Sequence, residues 1–362
     1  MKVPLAQPIM TEDMVEAAAN ALRNERLTLG DSMVKFEEDF GRMCGVRHAV
    51  SVNSGTAAIQ LSLLAAGVKA KDVVLTSSMS FVATTNAYVA FGGIPAFADV
   101  IEGEYTLDPA KVALGPEVKA IIPVHLYGHP SRMDEINELA KDKGVVVVED
   151  ACQAHGAMYK GRRVGAIGDI GCFSFYPTKN MHVGGDGGMV TTDDADIADM
   201  VRKLRHCGRK THNEHDVIGY TARLNSANAA VGIEQLKMLE TWNEKRRSVA
   251  RRYHEQLKDI DGLHLPPKPT AEVVPVYHLF TVRTTRRDEL RKHLDGASIQ
   301  TGIHYEIPIH LQPIYRELYG FKEGMLPVTE RLCKEVVTLP MFPDMAGEQV
   351  DYVCEKIKEF YG

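Results

Sequence analysis

An acid and a lysine each follow a short apolar run in the middle of the chain. Four consecutive valines at 145–148 precede Asp150, and residues 172–176 precede Lys179. Continuous apolar runs of this length are typical of buried parallel strands, which present their last residues at one edge of a sheet. A lysine amine forms a Schiff base with pyridoxal 5'-phosphate (PLP), and a carboxylate keeps the pyridine nitrogen protonated. The pair therefore indicates a PLP site, although a buried aspartate and an unrelated surface lysine fit the same pattern.

A candidate phosphate site lies earlier in the chain. Residues 49–52 predict a strand and residues 57–66 a helix, joined by the turn Asn-Ser-Gly-Thr. The free N–H groups at the start of such a helix and the positive end of its dipole favour a phosphate. Gly55 permits close approach there, and Thr56 offers a hydroxyl. The same residues also fit an ordinary strand-to-helix turn with Ser54 as the N-cap.

Strand-like runs alternate with helical segments through the first half of the chain. The runs lie at 49–52, 72–76, 94–99, 120–125, 145–150 and 172–176, with helical segments such as 133–143 between them. This alternation predicts a mostly parallel sheet covered on both faces, with ligands beyond the carboxyl ends of its strands. Four features fall at predicted strand ends and are expected in one crevice: residues 53–56, Phe81, Asp150 and Lys179. Phe81 would offer a flat aromatic face there, although core packing is the commoner fate of phenylalanine.

The second half of the chain predicts a long helix and a smaller α+β unit. The helix covers about 225–257, and its basic cluster predicts a solvated face: Lys245, Arg246, Arg247, Arg251 and Arg252. The unit that follows comprises a strand near 276–284, a helix near 288–294, a second strand before His304 and a final helix near 347–360. We divide the chain into a large domain, residues 1–240, and a small C-terminal domain, residues 241–362.

Composition and charge give no reason to propose that the protein binds nucleic acid, a membrane or a metal ion. The chain has 362 residues with a net charge of −6, which offers no electrostatic basis for binding nucleic acid or an anionic membrane. We expect no transmembrane span and no signal peptide, because no long apolar run follows the N-terminus. The six cysteines contain no C-x-x-C pair, so reduced thiols in a cytoplasmic enzyme are expected and no metal site is predicted.

Eight segments recur in the order known from one family. They are 53–58 (NSGTAA), 124–128 (VHLYG), 149–156 (EDACQAHG), 173–180 (FSFYPTKN), 184–188 (GGDGG), 219–224 (GYTARL), 229–236 (AAVGIEQL) and 304–310 (HYEIPIH). Together they resemble the DegT/DnrJ/EryC1/StrS family of PLP-dependent nucleotide-sugar aminotransferases. The resemblance implies the aspartate-aminotransferase (type I) α/β fold, with a large domain built on a mostly parallel mixed sheet and a smaller α+β C-terminal domain.

The resemblance also assigns roles within the cofactor site. Lys179 would carry PLP as a Schiff base and then move a proton between the substrate carbon and the cofactor carbon. Asp150 would pair with the pyridinium nitrogen, and Gln153 would hydrogen-bond the ring oxygen beside the aldehyde. Phe81 would stack on the ring. Three residues would hold the phosphate: Gly55, Thr56 and Ser174.

Further residues are implied at the substrate side and at a dimer interface. The family commonly has an asparagine two residues after Gly219 that reaches the phosphate from the partner subunit. This chain has Thr221, whose hydroxyl is shorter but still a donor. Arg223 would meet a carboxylate of the amino donor, or form an ion pair at the dimer interface. Three residues would line the sugar-nucleotide site, although packed or surface histidines fit as well: His304, Tyr305 and His310.

The implied activity is transfer of an amino group, with glutamate as donor, to a nucleotide-linked keto-deoxysugar by a homodimer whose active site is shared. PLP would alternate with pyridoxamine 5'-phosphate. Relatives that dehydrate the sugar have histidine at the lysine position, so Lys179 favours transamination. Met181 and His182 stand where Leu-Gly often follows in enzymes acting at C3, which slightly favours C4. A PLP-dependent sugar dehydratase and a non-catalytic regulatory relative are the alternatives.

Overall fold

The computed structural model of the protein describes residues 1–362. The helices are α1 (Glu12–Asn24), α2 (Asp31–Cys44), α3 (Gly55–Ala65), α4 (Ala83–Val89), α5 (Met133–Lys141), α6 (Ala195–Leu204), α7 (Ser226–Leu257), α8 (Arg287–Gly296), α9 (Pro313–Tyr319), α10 (Pro327–Glu335) and α11 (Gly347–Tyr361). The strands are β1 (His48–Val52), β2 (Val73–Ser77), β3 (Ile94–Ala98), β4 (Val118–Ile122), β5 (Val146–Asp150), β6 (Met158–Tyr159), β7 (Arg162–Arg163), β8 (Ile170–Ser174), β9 (Gly188–Thr192), β10 (Val273–Val274), β11 (Phe280–Arg283) and β12 (Val336–Leu339).

Seven strands form the central sheet in the order β1-β9-β8-β5-β4-β2-β3. Strands β8, β5, β4, β2 and β3 pair in parallel, while β9 runs antiparallel to both of its neighbours. The prediction of a mostly parallel mixed sheet covered by helices is confirmed. Because β9 reverses direction between β8 and β1, the carboxyl end of β1 points the same way as those of the parallel strands.

Apolar layers cover both faces of this sheet. Successive strand residues point to opposite faces, so Val147 belongs to the apolar layer that includes α2, α5 and α7, and Val148 to the layer that includes α3, α4 and α6. Burial on both faces explains why the strand sequence is apolar without alternation. The first layer contains a fully buried aromatic group in which the Phe40 ring contacts Phe173 edge-on at 4.9 Å between centroids.

A separate apolar cluster organises the C-terminal part of the chain. It joins the last turns of α7 to α8, α11 and the antiparallel pair β11–β12. The predicted strand before His304 is wrong, because Ile299 and Gly302 form only isolated bridges there, to Val3 and Thr338. The partner of β11 is β12, which the apolar pattern around 336–339 did not disclose because a four-residue run fits strand and helix equally.

The predicted boundary after residue 240 falls inside α7, which continues unbroken from one apolar cluster to the other. The N-terminal segment of the chain packs with the C-terminal part. Val3 is buried in the C-terminal cluster and exchanges backbone hydrogen bonds with Ser298 and Gln300. The two-domain division therefore stays a prediction. If it holds, residues 3–5 pack with the second unit.

The basic segment of α7 is only partly solvated, so the prediction of a solvated face is wrong for one member. Arg246 is buried, and its Nη1 donates to the carbonyl oxygens of Tyr277, His278 and Met341 at 3.2–3.3 Å. A cluster of basic residues on a helix, taken alone, predicts that all of them lie on the solvent-exposed face. The position between two apolar clusters buries this one residue instead, and three backbone acceptors compensate its charge.

None of the helices combines the length and the apolar character needed to cross a lipid bilayer.

Substitution of Phe40 tests the packing of the central layer. Phe40→Ala removes a fully buried ring and leaves a cavity, so we expect the free energy of unfolding to fall by about 3–5 kcal/mol. Phe81→Ala is the matched control, since the Phe81 side chain is 53% exposed and its loss should cost less than about 1 kcal/mol. Urea unfolding of both variants without added cofactor measures the difference. Equal losses would contradict this account of the core.

Candidate active site

The carboxyl ends of β1, β2, β5 and β8 open onto one cavity of about 520 Å³. Nine residues selected from the sequence line it: Gly55, Thr56, Phe81, Asp150, Gln153, Ser174, Lys179, His304 and Tyr305. Parallel strands bring the residues that follow them to a common edge, which is why segments far apart in sequence meet here.

Asp150 ends β5 and is held rigidly at the cavity wall. Its Oδ2 accepts a hydrogen bond of 2.7 Å from the Thr84 hydroxyl, and its Oδ1 accepts one of 3.2 Å from the Cys152 backbone N–H. Thr84 in turn pairs with Ser80 through their hydroxyls at 2.8 Å. Asp150 is 4% exposed, so the protein and not the solvent sets the position of its carboxylate.

Glu149, the preceding residue, points to the other side of the strand and is completely buried. Its carboxylate lies 2.9 Å from His125 Nε2 and accepts backbone hydrogen bonds from Gly165, Ile167 and Gly168 at 2.7–2.8 Å. Burial opposes ionisation, but the His125 and backbone donors outweigh it and lower the pKa of Glu149. This side chain therefore ties β5 to the loop that leads into β8.

Lys179 lies in a turn after β8, where its backbone N–H donates to Tyr176 O at 2.9 Å. Burial lowers the pKa of the Lys179 amine, although Cys152 and Asp150 act in the opposite direction. A lowered pKa increases the fraction of neutral amine near neutral pH, and the neutral amine is the nucleophilic form.

The first turn of α3 packs directly against Ser174 at the end of β8. A Cβ atom added to Gly55 would lie 2.7 Å from Ser174 Cβ and 2.9 Å from Cys152 Sγ, so only glycine permits this approach. Ser54 caps the helix by accepting from Ala57 N at 3.1 Å. The backbone N–H groups of the first turn and the hydroxyls of Thr56 and Ser174 border one corner of the cavity, a cradle suited to a phosphate.

The opposite wall comes from the C-terminal part of the chain. Tyr305 packs near Phe81 with 5.8 Å between ring centroids, and its hydroxyl accepts from Gln153 Nε2 at 3.2 Å. Gln153 Oε1 accepts from Tyr127 N at 2.8 Å, which leaves one amide N–H of Gln153 available to a ligand. Phe81 is not packed in the core; it is half-exposed on the cavity wall.

Three selected residues do not line this cavity. His310 is buried between Ser78 (2.7 Å) and Glu330 (3.1 Å), outside this cavity, and its place beside the sugar nucleotide stays a prediction. Its two ring nitrogens are already engaged by neighbouring side chains. Thr221 is exposed on the surface, and Arg223 lines a neighbouring depression that shares Ser54 and Asp186 with the cavity.

The structure adds residues that the sequence argument missed. Thr84 orients Asp150, and Cys152 and His278 line the cavity. His278 is 6% exposed, and burial lowers its pKa well below the usual range. The only sequence signal for His278 was a histidine inside an apolar, strand-like run at 276–280, which fits a packed histidine equally well.

The donor set fits a flat, phosphorylated, pyridine-containing ligand such as PLP. A fixed carboxylate stands at one side, an anion cradle that a Cβ at position 55 would fill stands at another, and a lysine and an aromatic face border the same space. A carboxylate stabilises a protonated ring nitrogen, and helix-start amides stabilise a phosphate. The arrangement can thus hold a cofactor of this kind and move a proton through Lys179.

The buried carboxylate beneath the site predicts a pH-dependent stability. A lowered pKa means that Glu149 stabilises the fold at neutral pH and loses this contribution as the pH falls below about 4.5, its ordinary value. Glu149→Gln replaces the carboxylate by an amide that faces the same four N–H donors, so the free energy of unfolding at pH 7 should fall by about 2–4 kcal/mol. The difference in free energy of unfolding between wild type and variant should shrink as the pH falls below 4.5, which urea unfolding at pH 7, pH 4 and pH 3 will measure.

Glu323→Gln is the control, because Glu323 pairs with Lys334 on the exposed surface. Its loss should cost less than about 1 kcal/mol. A gap between wild type and Glu149→Gln that stays constant or widens toward acid would contradict a lowered pKa at Glu149.

Comparison with known proteins agrees with this geometry. The chain is 42% identical over 346 residues to the dTDP-3-amino-3,4,6-trideoxy-alpha-D-glucose transaminase of Streptomyces venezuelae, covering 95% of this chain and 91% of that protein. It is 40% identical over 352 residues to the pleiotropic regulatory protein of Geobacillus stearothermophilus, covering 96% and 94%. It is 37% identical over 351 residues to the UDP-N-acetyl-3-dehydro-alpha-D-glucosamine 3-aminotransferase of Acidithiobacillus ferrooxidans, also covering 96% and 94%.

Solved structures match over nearly the whole chain. The crystal structure of Streptomyces venezuelae DesV in complex with a ketimine intermediate superposes with a TM-score of 0.94 at 41% identity, covering 96% of this chain and 94% of that one. Bacillus subtilis NtdA with bound cofactor PMP gives 0.92 at 31% identity, covering 99% and 85%. The model of the DegT/DnrJ/EryC1/StrS aminotransferase family matches residues 8–358, and the chain belongs to that family.

Proposed function

We propose that this protein is a PLP-dependent aminotransferase that moves an amino group from glutamate to the keto group of a nucleotide-linked sugar. The observation that carries the proposal is the meeting of Lys179, Asp150 and the phosphate cradle at Gly55 in one cavity. Family membership supports transamination, and the PMP-bound relative supports the cofactor. The sugar-nucleotide names of two relatives support the substrate class.

Bound PLP supplies an electron sink and carries the amino group between the two substrates. Asp150, whose carboxylate is oriented by Thr84, would keep the ring nitrogen protonated. Lys179 would hold the cofactor through its Nζ, and the neutral amine would accept the proton from the substrate carbon and later give it back. Burial supports this role because it lowers the pKa of the amine.

The position of amination is proposed from the relatives. The Streptomyces venezuelae and Acidithiobacillus ferrooxidans proteins both carry position 3 in their names. This supports C3, in place of the slight preference for C4 drawn from the segment after Lys179. We therefore take a 3-keto sugar nucleotide as the substrate, with the 4-keto sugar as the competing outcome.

We also propose that two copies of the chain complete the site. Within one chain, Lys179 is the only lysine or arginine among the cavity residues, while Asp150 and Asp186 are acidic. A sugar nucleotide and a dicarboxylic amino donor both need further cationic contacts. Arg223 borders the adjoining depression, and the exposed Thr221 lies two residues before it. A partner's copy of these residues would supply a carboxylate contact and a phosphate contact.

Replacement of the lysine tests the proposed chemistry directly. Lys179→Ala should lower turnover about a thousandfold or more and abolish the covalent adduct that borohydride traps between protein and cofactor. Mass spectrometry of the trapped peptide locates the adduct. Lys160→Ala is the control, since Lys160 forms a surface ion pair with Asp134 and should leave both readouts unchanged.

The same experiment separates the enzyme from a regulatory relative. The similarity to a pleiotropic regulatory protein makes that alternative specific. A wild-type protein that traps no cofactor and exchanges no amino group with glutamate would overturn the aminotransferase proposal and favour the regulatory one.

A panel of keto-sugar nucleotides tests the substrate. Pyridoxamine-loaded protein is incubated with 3-keto and 4-keto sugars linked to UDP, dTDP or GDP, and products are identified by mass spectrometry and NMR. We expect a 3-amino sugar, formed at least about tenfold faster than any 4-amino sugar, because the position of the ketone decides the alignment with the cofactor. Preferential 4-amination would overturn the C3 proposal. A deoxygenated product without nitrogen would indicate a dehydratase instead.

A further inference from the structure

The segment that carries Lys179 is anchored from behind by the next residue, Asn180. Asn180 is 3% exposed, and its Nδ2 donates to Asn243 Oδ1 on α7 at 2.8 Å and to Val276 O at 3.0 Å. Asn243, also completely buried, donates through its own Nδ2 to His155 O at 2.8 Å. The two amides therefore connect the lysine segment to α7 and to two cavity-bordering loops.

Backbone carbonyls at both ends fix the direction of this relay. Val276 O and His155 O can only accept, so each must face an amide NH₂ group. Asn180 then donates to Asn243, and Asn243 donates onward. Both N–H groups of Asn180 are used, and its Oδ1 is left buried without a protein partner.

Arg246 lies one turn further along α7 and holds the other wall of the cavity. Its Nη1 donates to His278 O and Met341 O, and both of these residues line the large cavity. Its Nε is buried without a protein partner. One short stretch of α7 thus contacts both sides of the large cavity. Asn243 supports the segment that carries Lys179, and Arg246 supports the opposite wall at His278 and Met341.

A small cavity of about 20 Å³ adjoins these residues. Lys179, Asn180 and Arg246 line it, together with the N-terminal residues 6–9. This volume admits one water molecule, and buried waters occupy sites with unpaired polar partners. Asn180 Oδ1 is an unpaired acceptor and Arg246 Nε an unpaired donor, so one water placed between them would satisfy both.

We propose that Asn180 is a positioning residue for Lys179, acting through Asn243 and through one ordered water that bridges Asn180 Oδ1 and Arg246 Nε. The inference rests on the proposed role of Lys179 in holding the cofactor. The buried polar group behind the lysine would thereby hold the amine inside the desolvated part of the cavity.

Loss of the anchor has an expected chemical consequence. Ionisable groups that influence the Lys179 amine are Asp150, Cys152, His155, His278 and His304. Burial keeps the three histidines neutral and is the main cause of the lowered pKa of Lys179. A lysine freed from its anchor reaches better-solvated positions, so its pKa should return toward the ordinary value of 10.5.

The test measures how fast cofactor-free protein captures added PLP as a function of pH, followed by absorbance and borohydride trapping. Asn180→Ala and Asn243→Ala should each shift the midpoint of the rate profile upward by about one pH unit, which lowers the rate at pH 7.5 about tenfold. The double variant should shift no further than the larger single effect, because both act through one relay.

Asn137→Ala is the control, since Asn137 makes one comparable bond to Ile167 O outside both cavities. Urea unfolding of all variants reports purely structural damage. If Asn180→Ala does not fold, Asn243→Ala carries the test. A profile that matches Asn137→Ala, or shifts that add in the double variant, would overturn the proposal.

Two further outcomes separate the inference from the function on which it rests. Wild-type protein that captures no PLP refutes the proposed function, whereas normal capture by wild type with unshifted Asn variants refutes the positioning role alone. A high-resolution crystal structure of the wild type with a water bonded to Asn180 Oδ1 and Arg246 Nε supports the bridge. A protein group in that position, or no ordered water, contradicts it.

Discussion

The buried carboxylate of Glu149 is the interaction on which the candidate site depends. A buried charge is tolerated only when its partners satisfy it, and those of Glu149 come from the turn after β4 and from the loop before β8. Strands β4, β5 and β8 are thereby locked together at the edge that carries Asp150, Ser174 and the lysine segment. Asp150 is the next residue on β5, and its side chain points to the opposite face of the strand. The backbone of Asp150 is therefore held in place by the contacts of Glu149, and the hydrogen bond from Thr84 sets the orientation of the Asp150 carboxylate.

The walls of the cavity differ in chemical character. The wall formed by the large sheet carries backbone N–H groups, hydroxyls and the Asp150 carboxylate. The facing wall carries His278, His304 and Tyr305, whose charged forms are disfavoured because burial lowers the pKa of His304 to about 4 and raises that of the tyrosine. An uncharged wall next to Lys179 keeps its amine from additional repulsion and leaves recognition of anionic groups to the helix start and, as proposed, to a second subunit.

Helix α7 couples these two walls. Its first half packs in the layer beneath the sheet, and its second half belongs to the C-terminal cluster. Between them, Asn243 and Arg246 exchange hydrogen bonds with segments from both sides, at the point where neither apolar cluster is continuous. The hydrogen bonds of Asn243 and Arg246 are directional, in contrast to apolar packing. They can therefore set the distance between Lys179 and the wall of the cavity that faces it.

The sequence by itself determined the parallel sheet, the crevice at its edge and the residues around Asp150, Gly55 and Lys179. These follow from local patterns, because a buried strand is apolar throughout and its last residues must meet those of its neighbours. The family resemblance added Gln153 and Ser174, which the structure also brings into the cavity.

Only the tertiary structure decided which polar residues are buried and what they touch. Arg246 belongs to a basic run typical of a surface, yet it lies between two apolar clusters; His310 stands in a family motif, yet both ring nitrogens are occupied outside the cavity. β12 and Thr84 acquired their roles through partners more than fifty residues away in the chain. Periodicity reports which side of an element is covered, whereas the partner of a buried polar atom depends on how distant elements pack, and no local pattern contains that information.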